Sequence, residues 1–161
     1  VDLTHLPFCT IDPVDAKDFD DAIYFDKHKN EIYIAIADVS EYVSPYSGID
    51  KEARLRGFSI YFPHIAVPML PRELSENICS LKPNCDRLAY LFKITLNSNL
   101  EAIKEDLISC VIHSKRRFNY DEVDNLLRGE FDCQDEIKEW LIPLFDLTQK
   151  LKEKRLKNGF D

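Results

Sequence analysis

The sequence carries no uninterrupted apolar run near the ~20 residues that a membrane-spanning helix needs, so no membrane partner is expected. Its start, VDLTHLPF, does not read as a signal peptide. Its five cysteines, Cys9, Cys79, Cys85, Cys110 and Cys133, are odd in number and never spaced Cys-x-x-Cys. A disulfide framework and a zinc ribbon are thereby disfavoured, and reduced thiols in a cytoplasmic setting are expected. The four histidines, His5, His28, His64 and His113, show no zinc-ligand spacing either. Internal repeats and low-complexity stretches are missing as well. Basic residues are in deficit, and the net charge of −8 argues against a broad phosphate-binding surface. The only methionine is Met69 and the chain opens on Val1, which suggests a piece of a longer polypeptide. At 161 residues it is long enough for one domain with its own core.

What is present in excess is carboxylate, at one place. The stretch TIDPVDAKDFDDAIYF sets Asp12, Asp18, Asp20 and Asp21 inside ten residues, with Asp15 and Asp26 beside them and Lys17 as the one base among them. Carboxylates this dense raise each other's pKa unless a cation sits between them. Hard divalent ions take a few oxygens of this kind, with waters and substrate phosphates completing the shell. Paired ions about 3.5–4 Å apart recur in displacement at phosphorus. The spacing thus fits a metal-dependent phosphodiester site, and it equally fits a solvated acidic turn, because Asp favours turns and helix caps. A calcium-binding loop counted from Asp18 fails, since its sixth and twelfth positions hold Ile23 and Lys29. An aspartyl-phosphate nucleophile would follow a buried apolar strand, whereas Asp18 follows Ala16-Lys17 and Asp20 follows Phe19.

The segment DPVDAKDFDDA, Asp12 to Ala22, resembles the catalytic signature of the ribonuclease II and ribonuclease R family of exoribonucleases. The resemblance continues in order through Ile36-Ala37-Asp38-Val39-Ser40, Tyr61-Phe62-Pro63, Val67 to Ser75 (VPMLPRELS), Cys79-Ser80-Leu81 and Lys115 to Val123 (KRRFNYDEV). It covers nearly the whole chain and is nearest to the ribonuclease R type. Ala35 and Glu41 depart from the family, which has His at both places. The resemblance implies an incomplete RNB catalytic domain, residues 1–161 forming its N-terminal portion. It implies hydrolytic removal of nucleotides from the 3′ end of single-stranded RNA, releasing nucleoside 5′-monophosphates. Mg²⁺ is the implied cofactor, as one or two ions that Mn²⁺ can replace.

In this resemblance Asp12, Asp18, Asp20 and Asp21 all match the family's acidic set. Asp12, Asp18 and Asp21 are the candidates for holding the ion. Asp20 is the candidate for positioning the ion that activates the attacking water. Tyr61 and Tyr120 match positions lining the family's RNA channel and are candidates for stacking on bases, although each also reads as a core tyrosine. Lys115, Arg116 and Arg117, interleaved with Phe118 and Tyr120, read either as a phosphate-contacting patch or as a solvated turn. The family's catalytic arginine and its OB-fold RNA-binding domains lie outside these residues, so the piece alone is expected to be inactive. The parent is expected to be monomeric.

The chain order predicts an α+β fold: a mixed, largely antiparallel sheet with packed helices. Residues 1–8 read as an irregular lead-in and 10–11 as a short strand. Residues 22–25 and 31–39 read as a hairpin just after the acids. A helix over 48–58 with Asp50 as its cap is expected, then a strand at 59–62 and a short helix at 72–78. Strands at 88–96 and 100–113 follow, around a turn at 97–99, their alternation suiting one covered face. A helix is expected at 119–127, with Asn119 as cap. The apolar spacing over 136–157 predicts a further helix, kinked at Pro143 or split into two there.

Overall fold

A computed structural model describes residues 1–131 and 136–159; Cys133 lies outside them. The elements, in order, are strands β1 (Phe8–Ile11), β2 (Asp21–Asp26) and β3 (Glu31–Ala37), a 3-10 turn (Val39–Glu41) and helix α1 (Gly48–Arg56). A small hairpin, β4 (Ile60–Tyr61) and β5 (Ala66–Val67), leads to a π-type turn (Leu74–Ile78). Strands β6 (Asp86–Leu96) and β7 (Ala102–Phe118) and helices α2 (Tyr120–Arg128) and α3 (Ile137–Lys157) complete the order. The α+β class, with a largely antiparallel sheet, is as the sequence predicts. No helix among the described residues is long and apolar enough to cross a membrane.

The hairpin after the acids forms from two nearly uninterrupted apolar runs, AIYF in β2 and IYIAIA in β3, Asp21 standing opposite Ile36 and Asp26 opposite Glu31. Asn30 makes the turn at φ 55°, a left-handed conformation that Asn tolerates better than most residues. β3 pairs antiparallel with β6, and β6 with β7. β1 then closes the ring, antiparallel to β2 and parallel to β7, into a five-stranded barrel. Closure satisfies the backbone edges that an open sheet would leave unpaired.

Successive strand residues face opposite sides, and the core divides accordingly. Inside lie Phe8, Ala22, Ala35, Leu91, Cys110 and Ile112, stoppered by Phe19 and Leu81. Outside, Cys9, Phe25, Leu96 and Phe118 meet Leu126 of α2 and Ile137, Trp140, Leu141, Leu144 and Leu147 of α3. Tyr24 links the two clusters, its ring 6.0 Å from Phe8, 5.3 Å from Tyr33 and 5.5 Å from Trp140.

Three expectations change. Helix α1 is capped by Ser47, whose hydroxyl accepts from the Asp50 N–H at 3.2 Å. Asp50 sits in the first turn and instead accepts from Tyr46 and Arg54. The helix stops at Gly57, whose φ of 77° suits glycine. Strand β7 runs five residues past His113, because β1 offers it a parallel partner that no local pattern announces. Of the kink or split expected at Pro143, the split is absent: helix α3 passes it as one element. Proline removes the donor that would bond the Glu139 carbonyl, and the Lys27 ammonium supplies one at 3.2 Å. The expected cap at Asn119 is present as a full capping box with Glu122.

Trp140 is 4% exposed, and its Nε1 is buried without a partner. Trp140→Ala is expected to cost about 3–5 kcal/mol in urea unfolding followed by circular dichroism. Trp140→Phe keeps a ring against Tyr24 and removes the orphaned donor, so it should cost under about 1.5 kcal/mol.

Candidate functional site

The acidic segment begins where β1 leaves the barrel. The Asp12 N–H donates to the Phe118 carbonyl at 3.1 Å, so the ladder with β7 carries Asp12 one residue beyond β1 itself. Residues 13–20 form no strand or helix, yet they are tied down at several points. The Ser80 hydroxyl, 1% exposed, accepts from the Phe19 N–H at 3.0 Å and donates to the Lys17 carbonyl at 2.8 Å. The Leu81 N–H donates to the Phe19 carbonyl at 2.9 Å, and the Ala37 N–H to the Asp20 carbonyl at 2.9 Å. The Phe19 side chain, 7% exposed, is the anchor that these bonds hold in place.

The result is a cleft of about 810 Å³ whose lining includes Asp12, Asp15, Asp18 and Asp20 on one side and Tyr61, Phe62 and His64 of the β4–β5 hairpin on the other. Asp21 opens β2 and does not line the cleft. Burial, then the charge of Asp21, push the Asp12 carboxyl above its ordinary value; Arg117 offsets part of this, and Asp20 and Asp18 add to it. Burial, then Asp18 and Asp21, likewise push Asp20 up. Asp18 and Asp21 thus act electrostatically on both Asp12 and Asp20. Asp12 Oδ2 is buried with no hydrogen-bond partner. A carboxylate oxygen so placed, among mutually repelling acids, suits an oxygen-seeking divalent cation. Among the described residues no three His, Cys, Asp or Glu side chains are gathered closely enough to hold a metal by themselves. Mg²⁺ does not require such a cage, since it is commonly held by one or two carboxylates with waters and substrate phosphates.

Tyr61 is 69% exposed and its hydroxyl donates to Asp18 Oδ2 at 3.1 Å. Burial and this bond raise its pKa. It is therefore not a core tyrosine. Tyr120, 60% exposed at the start of α2, is not one either, and it does not line the cleft. Lys115, Arg116 and Arg117 lie within β7 rather than in a turn, and they do not form one patch. Lys115 is exposed, Arg116 stacks on the Phe118 and Phe131 rings, and Arg117 reaches the acidic loop. Ala35 and Glu41, the two departures from the family pattern, stand away from the cleft lining. Sequence reasoning placed Ser80 in a family segment but gave it no role, because its bonds to Lys17 and Phe19 span more than sixty residues. His64 was set aside with the other histidines for want of ligand spacing, and only the fold brings it to the cleft.

Ser80→Ala strands the Phe19 N–H and the Lys17 carbonyl, so it is expected to cost about 1–3 kcal/mol by chemical denaturation. A second outcome follows from the raised carboxyls. In the folded state Asp12 and Asp20 keep their protons to higher pH than in the unfolded chain. Their ionisation therefore removes stability as pH rises from about 4 through the raised values. Asp20→Asn should raise the melting temperature of the metal-free protein at pH 7, with a smaller gain at pH 4.

The match to known proteins agrees with this geometry. Residues 1–160 match the RNB domain family model. The chain is 44% identical to ribonuclease R of Helicobacter pylori over 162 residues, covering 100% of this chain and 25% of that protein. It is 40% identical to ribonuclease R of Escherichia coli, covering 96% of this chain and 20% of that one. Mycoplasma genitalium RNase R, solved in complex with double-stranded RNA, superposes with a TM-score of 0.87 at 38% identity, over 96% of this chain and 29% of that one. The chain thus spans about a quarter of the length of the relatives it matches. With its acids at the rim of the barrel and its similarity running from end to end, the chain belongs to the RNB-domain family.

Proposed function

We propose that these residues are the acid-bearing part of a 3′-to-5′ exoribonuclease that hydrolyses single-stranded RNA to nucleoside 5′-monophosphates. The observation that carries this reading is the single cleft with Asp12, Asp18 and Asp20 on one wall and the Tyr61 ring on the other. Ribonuclease R relatives, one of them solved with ribose-methylated single-stranded RNA, supply its context.

Asp12 and Asp18 would hold Mg²⁺ from the cleft, and Asp21, which acts on Asp12 from outside its lining, would do so through water. When bound, the ion lowers the pKa of water and neutralises charge on the transferring phosphoryl group. Asp20, on the same cleft, would position the ion that activates the attacking water. Tyr61 presents its ring to a base while its hydroxyl holds Asp18 in place. Stacking of this kind tolerates any base, as a sequence-independent exonuclease requires. The relatives extend well beyond this chain, and transition-state stabilisation by an arginine and strand capture by OB-fold domains are assigned to such further segments.

The test uses the full-length protein, 5′-labelled single-stranded RNA and Mg²⁺, with products resolved by length. Progressive shortening to a small limit fragment is expected, and Asp20→Asn should abolish it while RNA binding stays intact. Tyr61→Ala should weaken RNA binding by about 1–3 kcal/mol, whereas Tyr61→Phe, which keeps the ring, should not. RNA left whole by the unmutated protein, or cut equally well by Asp20→Asn, refutes the mechanism.

A further inference from the structure

The parallel ladder that closes the barrel contains one extra residue. Phe8 lies opposite Ser114, but Cys9 lies opposite Arg116. Lys115 is the residue passed over, and it is exposed. A bulge of this kind reverses the face taken by each later side chain. Without it, Arg116 would continue the inward series of Ile112 and Ser114. With it, Arg116 turns to the outer core, its guanidinium 4.5 Å from the Phe118 ring and 5.4 Å from the Phe131 ring.

Arg117 is turned instead to the acid side. Its Nη2 donates to the Pro13 carbonyl, and its guanidinium stands 5.5 Å from the Phe19 ring. Pro13 and Phe19 lie at opposite ends of the acidic loop, so one rigid planar group spans it. Arg117 Nε and Asp12 Oδ2 are both buried with no partner, and Arg117 acts electrostatically on Asp12. Ser80 holds the same loop at Lys17 and Phe19. The fork of Arg117 thus engages a carbonyl and a ring of the acidic loop itself.

We propose that Arg117 is a positioning residue of the acidic site, a clamp across the loop that carries Asp12, Asp18 and Asp20, rather than a contact for RNA phosphate. Its catalytic consequence rests on the hydrolytic reading above. Arginine suits the task because its planar fork meets a carbonyl in its plane and a ring at its face, whereas a lysine ammonium is a single point charge.

The test compares full-length unmutated protein with Arg117→Met and Arg117→Lys. Direct Mn²⁺ titration, followed by the electron paramagnetic resonance of free Mn²⁺, should show about tenfold weaker binding in Arg117→Met. On labelled single-stranded RNA its kcat should fall about 10–100-fold with KM within about twofold. RNA affinity measured in EDTA, and its dependence on salt, should not change. Arg117→Lys should recover part of both the Mn²⁺ affinity and kcat. A phosphate contact predicts the reverse: weaker RNA binding, a salt slope shallower by about 0.7, and unchanged Mn²⁺ affinity. That pattern overturns the proposal. If Arg117→Met fails to fold by circular dichroism, Arg117→Lys carries the same readouts, with a loss in Mn²⁺ affinity supporting the clamp and no loss overturning it. If the unmutated protein leaves RNA whole, the hydrolytic reading fails by itself, and the Mn²⁺ comparison still decides the clamp.

Discussion

The acidic end of this barrel depends on the parallel ladder between β1 and the end of β7. Those few pairings close the sheet, carry Asp12 out of the barrel on a backbone bond to Phe118, and bring Arg117 beside it. A group that must act on a reacting atom is best held by a rigid element, and here the ladder supplies the rigidity. Without that ladder β1 would be held only by its antiparallel pairing with β2, and the backbone bond from Asp12 to Phe118 would be lost.

The loop is placed under electrostatic load by its own sequence. Four carboxylates oppose one another and two of them are driven towards protonation. Phe19 in the barrel mouth, the two hydrogen bonds of Ser80 and the reach of Arg117 keep the chain from relaxing outward. Stability given up at a site in this way is the usual accompaniment of activity. A bound cation would return part of it, because it binds the folded arrangement in preference to the unfolded chain.

Particular residues show how far sequence reading reached. The hairpin at β2–β3, the cap at Asn119 and the strands around the turn at 97–99 were legible, because apolar runs, period-two alternation and cap chemistry are local. The Ser47 cap was missed in favour of Asp50, two acceptable oxygens standing three residues apart. Pro143 was read as a kink or a split because its cost is local, while the donor that replaces its missing N–H, Lys27, is more than a hundred residues away in sequence. Lys115-Arg116-Arg117 looked like one basic patch, and a single bulge separated the three into three environments.

The sequence by itself determined the family and the local elements. The density of aspartates in Asp12–Asp21, the family signature around them and the apolar periods that build strands and helices all reside in near neighbours along the chain. Only the tertiary structure decided which side chains share the cleft, that the sheet closes, and that Arg117 faces the acids while Arg116 does not. Those outcomes depend on register between β1 and β7, about a hundred residues apart, where one added residue exchanges the faces of the strand.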